Sequence, residues 1–296
     1  MLIYLIIRMT YMYKVLVTGA NGQLGSEIRH ISSSYQIEFV FTDVAELDIT
    51  SKDSILSFLK ENPVDAIINC AAYTAVDRAE TEREIADKVN HLAVKYLAEA
   101  AKEFKLKFVH VSTDYVFDGE AFRPYTEEAV PNPQSVYGIT KRAAEVELIS
   151  LELPDSIVIR TSWVYSTYGN NFVKTMRRLG AEKPELNVVS DQIGTPTNAR
   201  DLARFILDTL PKLNTSQTEF YHFSNEGVCS WYDFAVAIME LSRFDCKVNP
   251  IPSTQYPTPA KRPFYSVMSK AKIKTDFGIQ PDHWRHSLQQ CLIELA

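Results

Sequence analysis

Cysteine is scarce in this sequence, and its placement argues against two classes of protein. The four cysteines, Cys70, Cys229, Cys246 and Cys291, are scattered, with no CxxC pair and no metal-ligand spacing. A disulfide-stapled scaffold and a zinc module are both disfavoured by that pattern. We interpret the four residues as buried free thiols in a reducing compartment, and we expect a cytoplasmic protein.

An excess of basic residues is also lacking. The chain has 31 Lys and Arg against 37 Asp and Glu, which gives a formal net charge of −6. Nucleic-acid surfaces need clustered positive charge, so we expect no nucleic-acid partner. With 46% hydrophobic and 23% charged residues, the 296-residue chain has the composition of a globular protein with one large or two smaller domains.

Long hydrophobic runs are absent as well. In the opening segment, MLIYLIIRMTYMYK, only seven apolar residues precede Arg8. A membrane span needs about 20 such residues, and the segment has neither a basic n-region nor a small-residue cleavage site. We therefore expect no membrane association. We interpret residues 1–12 as an extension that an early start codon adds, with the true start at Met9 or Met12.

Hydrophobic runs and amphipathic stretches alternate along the first half of the chain. The predicted strands cover residues 14–19, 37–43, 64–72, 107–114 and 157–163, and the predicted helices begin near Gln23 and cover 54–62, 81–104 and 133–150. Val- and Ile-rich runs separated by helices are typical of a parallel sheet that is buried on both faces. The sequence therefore predicts an α/β fold with a Rossmann-type, doubly wound parallel sheet.

After Trp163 the alternation becomes irregular, which predicts a smaller, intertwined C-terminal lobe that binds substrate and forms one wall of a cleft. The segments predicted there are the helices GNNFVKTMRRL, 198–210 and SWYDFAVAIMELSRF, the strands LNVVS and 221–224, and a proline-rich loop over 250–263. We predict a Rossmann domain of residues 13–165 and 186–215, and a substrate-binding lobe of residues 166–185 and 216–296.

The stretch TGANGQLG follows the first predicted strand and opens a helix, which is the context that a dinucleotide-binding loop requires. Gly19 permits the tight turn, Gly22 lets the backbone approach the phosphates, and Gly25 lets the helix pack on the strand. The spacing is GxxGxxG, and glycines at structural turns are common, but the position at the first strand–helix junction favours cofactor binding. The predicted contacts in this loop are Gly19, Asn21, Gly22, Gln23, Leu24 and Gly25.

Other predicted cofactor contacts lie just beyond the second, third and fourth strands. Asp43 ends the second strand, where a carboxylate can hydrogen-bond the adenosine ribose hydroxyls and favour NADH. A solvated turn aspartate is the alternative. No Arg or Lys follows directly to bind a 2′-phosphate, yet NADPH stays open. The remaining predicted contacts are Asp48, Ile49, Ala71, Ala72, Tyr73, Thr74 and Val111.

A tyrosine and a lysine stand one helical turn apart in the stretch SVYGITK, so Tyr137 and Lys141 point to the same side of a helix. We predict that Asn132 caps this helix and that Pro133 lies in its first turn. A phenol has a pKa of about 10, and a neighbouring ammonium would lower that pKa toward neutrality. The spacing alone is a common accident. Gly138 favours a site, because glycine in a helix interior costs roughly 1 kcal/mol and suggests a close approach.

The third partner of this pair comes from the end of the fourth strand, where open α/β sheets bind ligands. Ser112 and Thr113 both lie there, and strand alternation turns Ser112 to the other face. The Thr113 hydroxyl would bond both a substrate carbonyl and the Tyr137 oxygen. Tyr137, Lys141 and Thr113 are therefore the predicted catalytic residues of a carbonyl reductase, with Tyr137 and Lys141 also touching the cofactor.

Taken together, these motifs resemble the extended short-chain dehydrogenase/reductase family and, within it, the dTDP-4-dehydrorhamnose reductases. The resemblance runs over nearly the whole chain from Lys14 and rests on NCAAYTAVDRAE, STDYVFDG, SVYGITK, RTSWVY, GNNFVKTMRRL, DQIGTPT and YPTPAKRP. It implies reduction of the C4 ketone of dTDP-4-dehydro-β-L-rhamnose to dTDP-L-rhamnose with NADPH or NADH. It also implies that Thr113, Asp114, Tyr115 and Trp163 contact the dTDP-sugar, although a core aromatic is the alternative for Trp163.

One departure from the resembled family concerns a metal. Some members bind Mg²⁺ at a dimer interface through acidic side chains. Glu27 matches one of those positions, but Arg200 occupies another, and a guanidinium cannot ligate a cation. We therefore predict no metal site and leave a homodimer open.

Three alternative functions share the predicted scaffold. A sugar-nucleotide 4,6-dehydratase needs Asp-Glu directly after the strand-four threonine, whereas this chain has Asp114 and Tyr115 there, so the base is missing. A 4-epimerase needs only the tyrosine, the lysine and a tightly held NAD, and it stays open. A non-catalytic subunit like those that regulate methionine adenosyltransferase also stays open, although an intact Thr113, Tyr137 and Lys141 argue against it.

Overall fold

A computed structural model describes residues 12–295, so the predicted extension lies outside the described residues apart from Met12. The strands are β1 Tyr13–Thr18, β2 Ile37–Thr42, β3 Ala66–Asn69, β4 Lys107–Thr113, β5 Ser156–Thr161, β6 Val164–Tyr165, β7 Glu185–Val189, β8 Ile193–Gly194, β9 Thr197–Asn198, β10 Glu219–His222, β11 Cys229–Ser230 and β12 Lys247–Ile251. The helices are α1 Gln23–Ile31, α2 Lys52–Glu61, α3 Val76–Ala79, α4 Arg83–Asp87, α5 Ala93–Phe104, α6 Val136–Leu151, α7 Phe172–Glu182, α8 Ala199–Thr209, α9 Trp231–Ser242, α10 Ala271–Phe277 and α11 Trp284–Glu294.

The central sheet has six parallel strands in the order β10-β5-β4-β3-β1-β2. The chain runs outward from β1 to β2 and then crosses to β3 on the other side of β1. Ligands of open α/β sheets bind in the crevice where the strand order reverses, here between the carboxyl ends of β1 and β3. The predicted doubly wound α/β fold is confirmed, with the third strand shorter than the predicted range 64–72.

Alternating strand residues bury two apolar layers against helices on opposite faces of the sheet. Val15 and Val17 pack toward α1 and α8, whereas Leu16 and Ile67 pack toward α2, α5 and α6. These positions are completely buried. Helices therefore pack on both faces of the sheet, and the predicted site residues lie at its carboxyl edge.

The C-terminal lobe has a core of its own, in which α7, α9 and α11 pack around residues such as Phe234 and Leu288. Within it, β7 pairs in parallel with β12, and Pro250 and Ile251 belong to β12 although the sequence predicted a loop there. The edge strand of the central sheet, β10, comes from within the range predicted for the lobe. The chain therefore crosses between the two parts repeatedly, and the predicted domain boundaries stay a prediction.

Two helices near the site begin or wind differently from the prediction. The predicted helix 81–104 is α4 and α5 joined by a wider π-helical turn over Lys88–Leu92. Helix α6 is capped by Ser135, whose hydroxyl accepts from the Gly138 N–H at 3.2 Å, so the predicted cap at Asn132 is wrong. A serine in extended conformation immediately before the helix is the better acceptor for the free N–H groups of the first turn.

Among residues 12–295, no helix combines the length and the apolar character that crossing a membrane requires.

A buried ion pair ties α6 to the sheet. The Arg160 guanidinium on β5 donates to both carboxylate oxygens of Glu145 on α6, at 2.9 and 2.8 Å, and the two residues are only 2% and 0% exposed. The Ser112 hydroxyl on β4 donates to the same carboxylate at 2.6 Å, and Arg142 pairs with it at 3.0 Å. Because each buried charge is balanced by its partner, removal of one partner leaves the other uncompensated.

Replacement of Glu145 by Gln should therefore lower the free energy of unfolding by about 3–5 kcal/mol, measured by urea denaturation. The matched control is Glu147→Gln on the same helix, because Glu147 is partly exposed in its pairing with Lys95. That control should cost no more than about 1 kcal/mol. Equal losses in the two variants would contradict a stabilising role for the buried pair.

Candidate active site

The glycine loop between β1 and α1 is built for the close approach of main chains. Gly19 has φ +65°, and a Cβ there would lie 2.6 Å from Ala71 Cα in the segment after β3. A Cβ on Gly25 would lie 2.5 Å from the carbonyl oxygen of Gly19. Gly22 occupies the N-cap of α1 and brings no side chain over the N–H groups of the first turn. The loop thus leaves a helix N-terminus free to receive an anion such as a pyrophosphate.

The predicted contacts after β2 divide into two groups. Asp43 is fastened to the glycine loop, since its carboxylate accepts from the Asn21 N–H at 2.9 Å. Asp48 is exposed, and its carboxylate accepts from both the N–H and the hydroxyl of Thr50, which lowers the pKa of Asp48. The structure thus brings Asp43 to the loop, whereas Asp48 and the adjoining Ile49 lie in a separate turn.

The segment after β3 is held by an asparagine that the sequence analysis missed. Asn90 lies in the π-helical turn and is completely buried. Its side chain accepts from the Tyr73 N–H at 2.8 Å and donates to the Tyr73 carbonyl oxygen at 3.1 Å. It also donates to the Thr140 hydroxyl on α6 at 3.3 Å. An asparagine within an apolar helical stretch was the available signal, and here it joins the loop of Ala71 to Thr74 to the helix of Tyr137.

The predicted catalytic residues of β4 and α6 come together. Thr113 is 4% exposed at the end of β4, and its hydroxyl donates to the Asp114 carboxylate at 2.9 Å. The rings of Tyr115 and Tyr137 meet edge to face, with centroids 5.5 Å apart. A Cβ on residue 138 would collide with the carbonyl oxygen of Tyr115. Gly138 therefore permits α6 to lie directly on the turn after β4, as its position in the helix suggested.

The protonation of Tyr137 differs from the expected one. Burial raises the pKa of Tyr137 to about 12, and the nearby Thr113 hydroxyl offsets only part of that effect. The partners of the Lys141 Nζ are on β4: it donates to the Val111 carbonyl oxygen at 2.7 Å and is 3.2 Å from His110 Nε2. The expected lowering of the Tyr137 pKa by Lys141 is therefore wrong. At neutral pH the phenol keeps its proton, as a proton donor requires.

Burial also alters the two ionisable neighbours of Tyr137. It lowers the pKa of Lys141 to about 7, against a smaller opposing effect of the Glu145 charge. It raises the pKa of Asp114 to about 6, against the opposing hydrogen bond from Thr113. One Asp114 oxygen, Oδ2, is buried without a hydrogen-bond partner of normal geometry among residues 12–295, although the Ser266 hydroxyl lies close enough to this carboxylate to lower its pKa. A buried acceptor of this kind is suited to a donor that a ligand supplies.

Trp163 follows β5 on the side of the C-terminal lobe. Its backbone has φ +49°, an uncommon conformation for a residue with a side chain. Its indole stacks on Trp231 with centroids 3.6 Å apart and an interplanar angle of 10°. A Cβ on Gly194 would lie 2.7 Å from the same ring, so the indole is tightly wedged. Sequence reasoning found Trp163 but missed its stacking partner, which lies 68 positions later in the chain, counted from 163 to 231.

The Arg200 guanidinium occupies the position beside Glu27 where the resembled family would place Mg²⁺. Arg200 on α8 donates to Glu27 on α1 at 2.9 Å and to the carboxylate of Glu294 on α11 through two nitrogens. The Ser166 hydroxyl donates to the other Glu27 oxygen at 2.6 Å. Both carboxylates are thus neutralised by a cation of the protein itself. These residues do not fit a divalent metal, and within residues 12–295 no group of three or more His, Cys, Asp and Glu side chains is placed to hold one.

Comparison with known proteins gives consistent matches over the full described length. A sequence model of the RmlD substrate binding domain matches residues 13–296. The chain is 43% identical over 289 residues to the dTDP-4-dehydrorhamnose reductase of Aggregatibacter actinomycetemcomitans, covering 94% of this chain and 98% of that protein. A crystal structure of a dTDP-4-dehydrorhamnose reductase from Clostridium acetobutylicum is 44% identical, with a TM-score of 0.91 over 95% of this chain and 99% of that one. The Bacillus anthracis dTDP-4-dehydrorhamnose reductase, solved in complex with NADP, is 38% identical, with a TM-score of 0.91 over 96% of this chain and 100% of that one.

The glycine loop yields a test of which glycine the packing of the loop requires. In Gly25→Ala the added methyl meets the backbone of Gly19 and Ala20, which cannot give way, so we expect a loss of about 1–3 kcal/mol in unfolding free energy. Gly22→Ala meets only the Gly19 oxygen at 3.3 Å and should change stability by less than about 1 kcal/mol. Urea denaturation of both variants checks the order, and a larger loss in Gly22→Ala would contradict it.

The raised pKa of Asp114 gives a pH-dependent test. Its carboxyl titrates at about 6 in the folded protein against 3.8 ordinarily, so between these values the folded state binds the extra proton. Wild-type stability should therefore fall as pH rises through this window, by up to about 3 kcal/mol. Asp114→Asn cannot titrate, so its stability relative to the wild type should increase from about pH 4 to pH 7. A difference that is constant with pH would contradict the raised pKa.

Proposed function

Because the chain belongs to the RmlD substrate binding domain family, we propose that it reduces the C4 ketone of dTDP-4-dehydro-β-L-rhamnose to dTDP-L-rhamnose, with NADPH or NADH as reductant. The observation that carries this proposal is the buried phenol of Tyr137, whose pKa burial raises to about 12, beside Thr113 at the carboxyl edge of a parallel sheet whose first loop is built for a dinucleotide. An acid in that position is what reduction of a ketone requires.

The residues around the crevice between β1 and β3 fit a nicotinamide dinucleotide. The glycine loop and the N-terminus of α1 would receive the pyrophosphate, and Asp43 beside Asn21 would receive the adenosine ribose. The reduced nicotinamide supplies a hydride to the ketone carbon. Asp43 supports NADH, and the NADP in the Bacillus anthracis relative supports NADPH, so the proposal includes both.

The proton step follows from three side chains. Tyr137 donates its phenolic proton to the carbonyl oxygen as negative charge develops there. The Thr113 hydroxyl turns from Asp114 to the same oxygen and stabilises that charge. Lys141 faces the same region from one turn further along α6, where its amine would bond the ribose hydroxyls that hold the ring in place.

Several side chains around the turn after β4 and beyond β5 suit a sugar nucleotide. Asp114 Oδ2 would accept from a sugar hydroxyl in competition with the nearby Ser266, and the half-buried indole of Trp163, held by its stacking on Trp231, would contact the sugar ring. Lys261 and Arg262 line a small cavity together with Tyr115. Arg262 pairs with Asp77 at 2.8 Å and Lys261 lies 3.7 Å from Glu120, so the diphosphate of a dTDP-sugar would compete with these carboxylates for the two cations.

A cytoplasmic location and the open question of a homodimer belong to the same proposal. All four cysteines are free thiols, as a reducing compartment favours. Arg200 takes the place of a metal-dependent contact, so a homodimer would have to form without Mg²⁺ at that point.

Removal of the phenolic hydroxyl tests the proposed chemistry. Tyr137→Phe should lower kcat by about 10²–10⁴ in the oxidation of NADPH or NADH with dTDP-4-dehydrorhamnose, because the proton donor is lost. The Kd of the cofactor should change little, because the ring itself remains. The matched control is Tyr35→Phe, which removes a hydroxyl bonded to Asp208 outside the site and should retain wild-type kcat.

Two results would replace the proposal with one of its alternatives. Purified protein that carries stoichiometric NAD⁺ and interconverts sugar epimers without added cofactor would indicate a 4-epimerase. Protein that binds cofactor but shows no turnover, with or without Tyr137, would indicate a non-catalytic binding subunit.

A further inference from the structure

Three neutral polar side chains line up beneath Lys141 across adjacent strands of the sheet. The strand register pairs Thr18 on β1 with Asn69 on β3, and Asn69 with His110 on β4. Asn69 is 1% exposed, and His110 and Lys141 are 0% and 1% exposed. The sequence analysis assigned no role to Asn69 or His110, and the mechanism above does not use either.

The direction of each hydrogen bond in this row follows from donors that cannot be reversed. Asn69 Oδ1 lies 3.1 Å from the Ala71 backbone N–H, which can only donate, and 2.7 Å from the Thr18 hydroxyl. The oxygen of the amide is therefore fixed on that side. Its NH₂ group then faces His110 Nδ1 at 3.2 Å and must donate to it. Nδ1 is consequently the unprotonated nitrogen of the ring.

A neutral imidazole with a bare Nδ1 carries its proton on Nε2. Burial lowers the pKa of His110 well below its usual range, so the ring is neutral. Nε2–H lies 3.2 Å from Lys141 Nζ and donates to it. Nζ in turn donates to the Val111 carbonyl oxygen at 2.7 Å. Only an amine can accept one hydrogen bond and donate another, because an ammonium has no lone pair.

We propose that His110 is a positioning residue, which Asn69 holds in its Nε2–H form, and that it keeps Lys141 as a neutral amine until a ligand occupies the crevice. An ammonium at Lys141 would face the Nε2–H directly. Turning the imidazole to its other tautomer would set Nδ1–H against the Asn69 NH₂ group. Turning the amide would set that NH₂ group against the Ala71 N–H. Each arrangement brings two donors together in a buried site, at a cost typical of an unsatisfied buried group.

The charged groups around Lys141 do not by themselves determine its protonation. Glu145, on the same helix, favours the ammonium, but its carboxylate is bonded by both Arg160 and Arg142. Tyr137, also on α6, is a neutral phenol, and β1, β3 and β4 present the neutral side chains described above. Lys141 thus faces the neutral donor His110 on the sheet, whereas the carboxylate of Glu145 on the helix is already balanced by two arginines.

A functional consequence follows, and it rests on the proposed function. Ribose hydroxyls and phosphates of a bound cofactor would accept from Lys141 and draw it into the ammonium form. Cofactor binding would then take up a proton at slightly alkaline pH, and the positive charge would appear beside Tyr137 only in the loaded enzyme.

The hydrogen-bond directions can be tested in the wild-type protein without cofactor. In protein labelled with ¹⁵N at histidine, long-range ¹H–¹⁵N correlation spectra should show His110 with a bare Nδ1 and a protonated Nε2 at neutral pH. The His110 signals are identified by their loss in His110→Gln. A protonated Nδ1 would overturn the proposal.

The protonation of Lys141 can be followed through ¹³Cε-labelled lysine, with its signal identified by loss in Lys141→Met. The wild-type signal should titrate near 7. His110→Gln should move that midpoint upward by at least about one unit, a tenfold change in the protonation equilibrium, because a glutamine oxygen can accept from the ammonium. Asn69→Asp should also raise the Lys141 midpoint, by a separate route. A carboxylate accepts a hydrogen bond from His110 Nδ1–H, so that Nε2 loses its proton and can accept from the Lys141 ammonium.

The matched control is His222→Gln, the same substitution at another completely buried histidine, on the edge strand β10. It should leave the Lys141 midpoint unchanged. A midpoint that also stays unchanged in both His110→Gln and Asn69→Asp would show that burial alone sets the lysine, and the proposal would fail. Should one variant not fold, the other and the wild-type histidine spectra decide the matter.

Calorimetry of NADPH binding at about pH 8, in buffers of different ionisation enthalpy, tests the functional consequence. The wild type should take up most of one proton per site, and His110→Gln should take up much less. Absence of turnover with dTDP-4-dehydrorhamnose would remove the proposed function and leave the spectra as predicted. If the wild type shows turnover and the Lys141 midpoint is unchanged in His110→Gln, the proposed function stands and this inference fails.

Discussion

The close contact between helix α6 and the turn after β4 is the constraint on which the site depends. No side chain fits at residue 138, because the Tyr115 carbonyl oxygen occupies that space. Helix α6 is capped by Ser135 and is bonded to the sheet through Glu145 and Arg160. Its close contact with the turn after β4 places Tyr137 beside Thr113. It also buries the phenol and the lysine together. The altered protonation of both groups follows from that burial rather than from their spacing along the helix.

The same packing explains why Tyr137 and Lys141 both favour their neutral forms. In a dry site, the charged form of either group is costly, so the phenol keeps its proton and the lysine tends to lose its own. The sheet supplies Lys141 with two fixed partners, the Val111 carbonyl oxygen and His110. A reductase gains from this arrangement, because the proton donor is ready before the ketone arrives. The cationic neighbour can then be generated by ligand binding.

Much of this site could be predicted from the sequence, since its parts depend on local patterns. Strand–helix alternation predicted the parallel sheet, and the position of TGANGQLG predicted the loop at the β1–β3 crevice. The roles of Asn90, Trp231 and His110 could not be read from the chain, because each depends on a partner brought near by the fold. The Tyr137 pKa was predicted in the wrong direction for the same reason: helical spacing shows which residues share a face, but not how deeply they are buried. The cap at Ser135 and the strand that contains Pro250 were likewise decided by tertiary packing.

We expect Tyr137 to stay protonated in the folded protein without a contribution from Lys141. Titration of ¹³Cζ-labelled tyrosine, with the Tyr137 signal identified by its loss in Tyr137→Phe, tests it directly. This signal should remain that of a phenol from neutral pH to about pH 10, in keeping with a pKa of about 12. A phenolate that forms near neutral pH in the cofactor-free protein would contradict it.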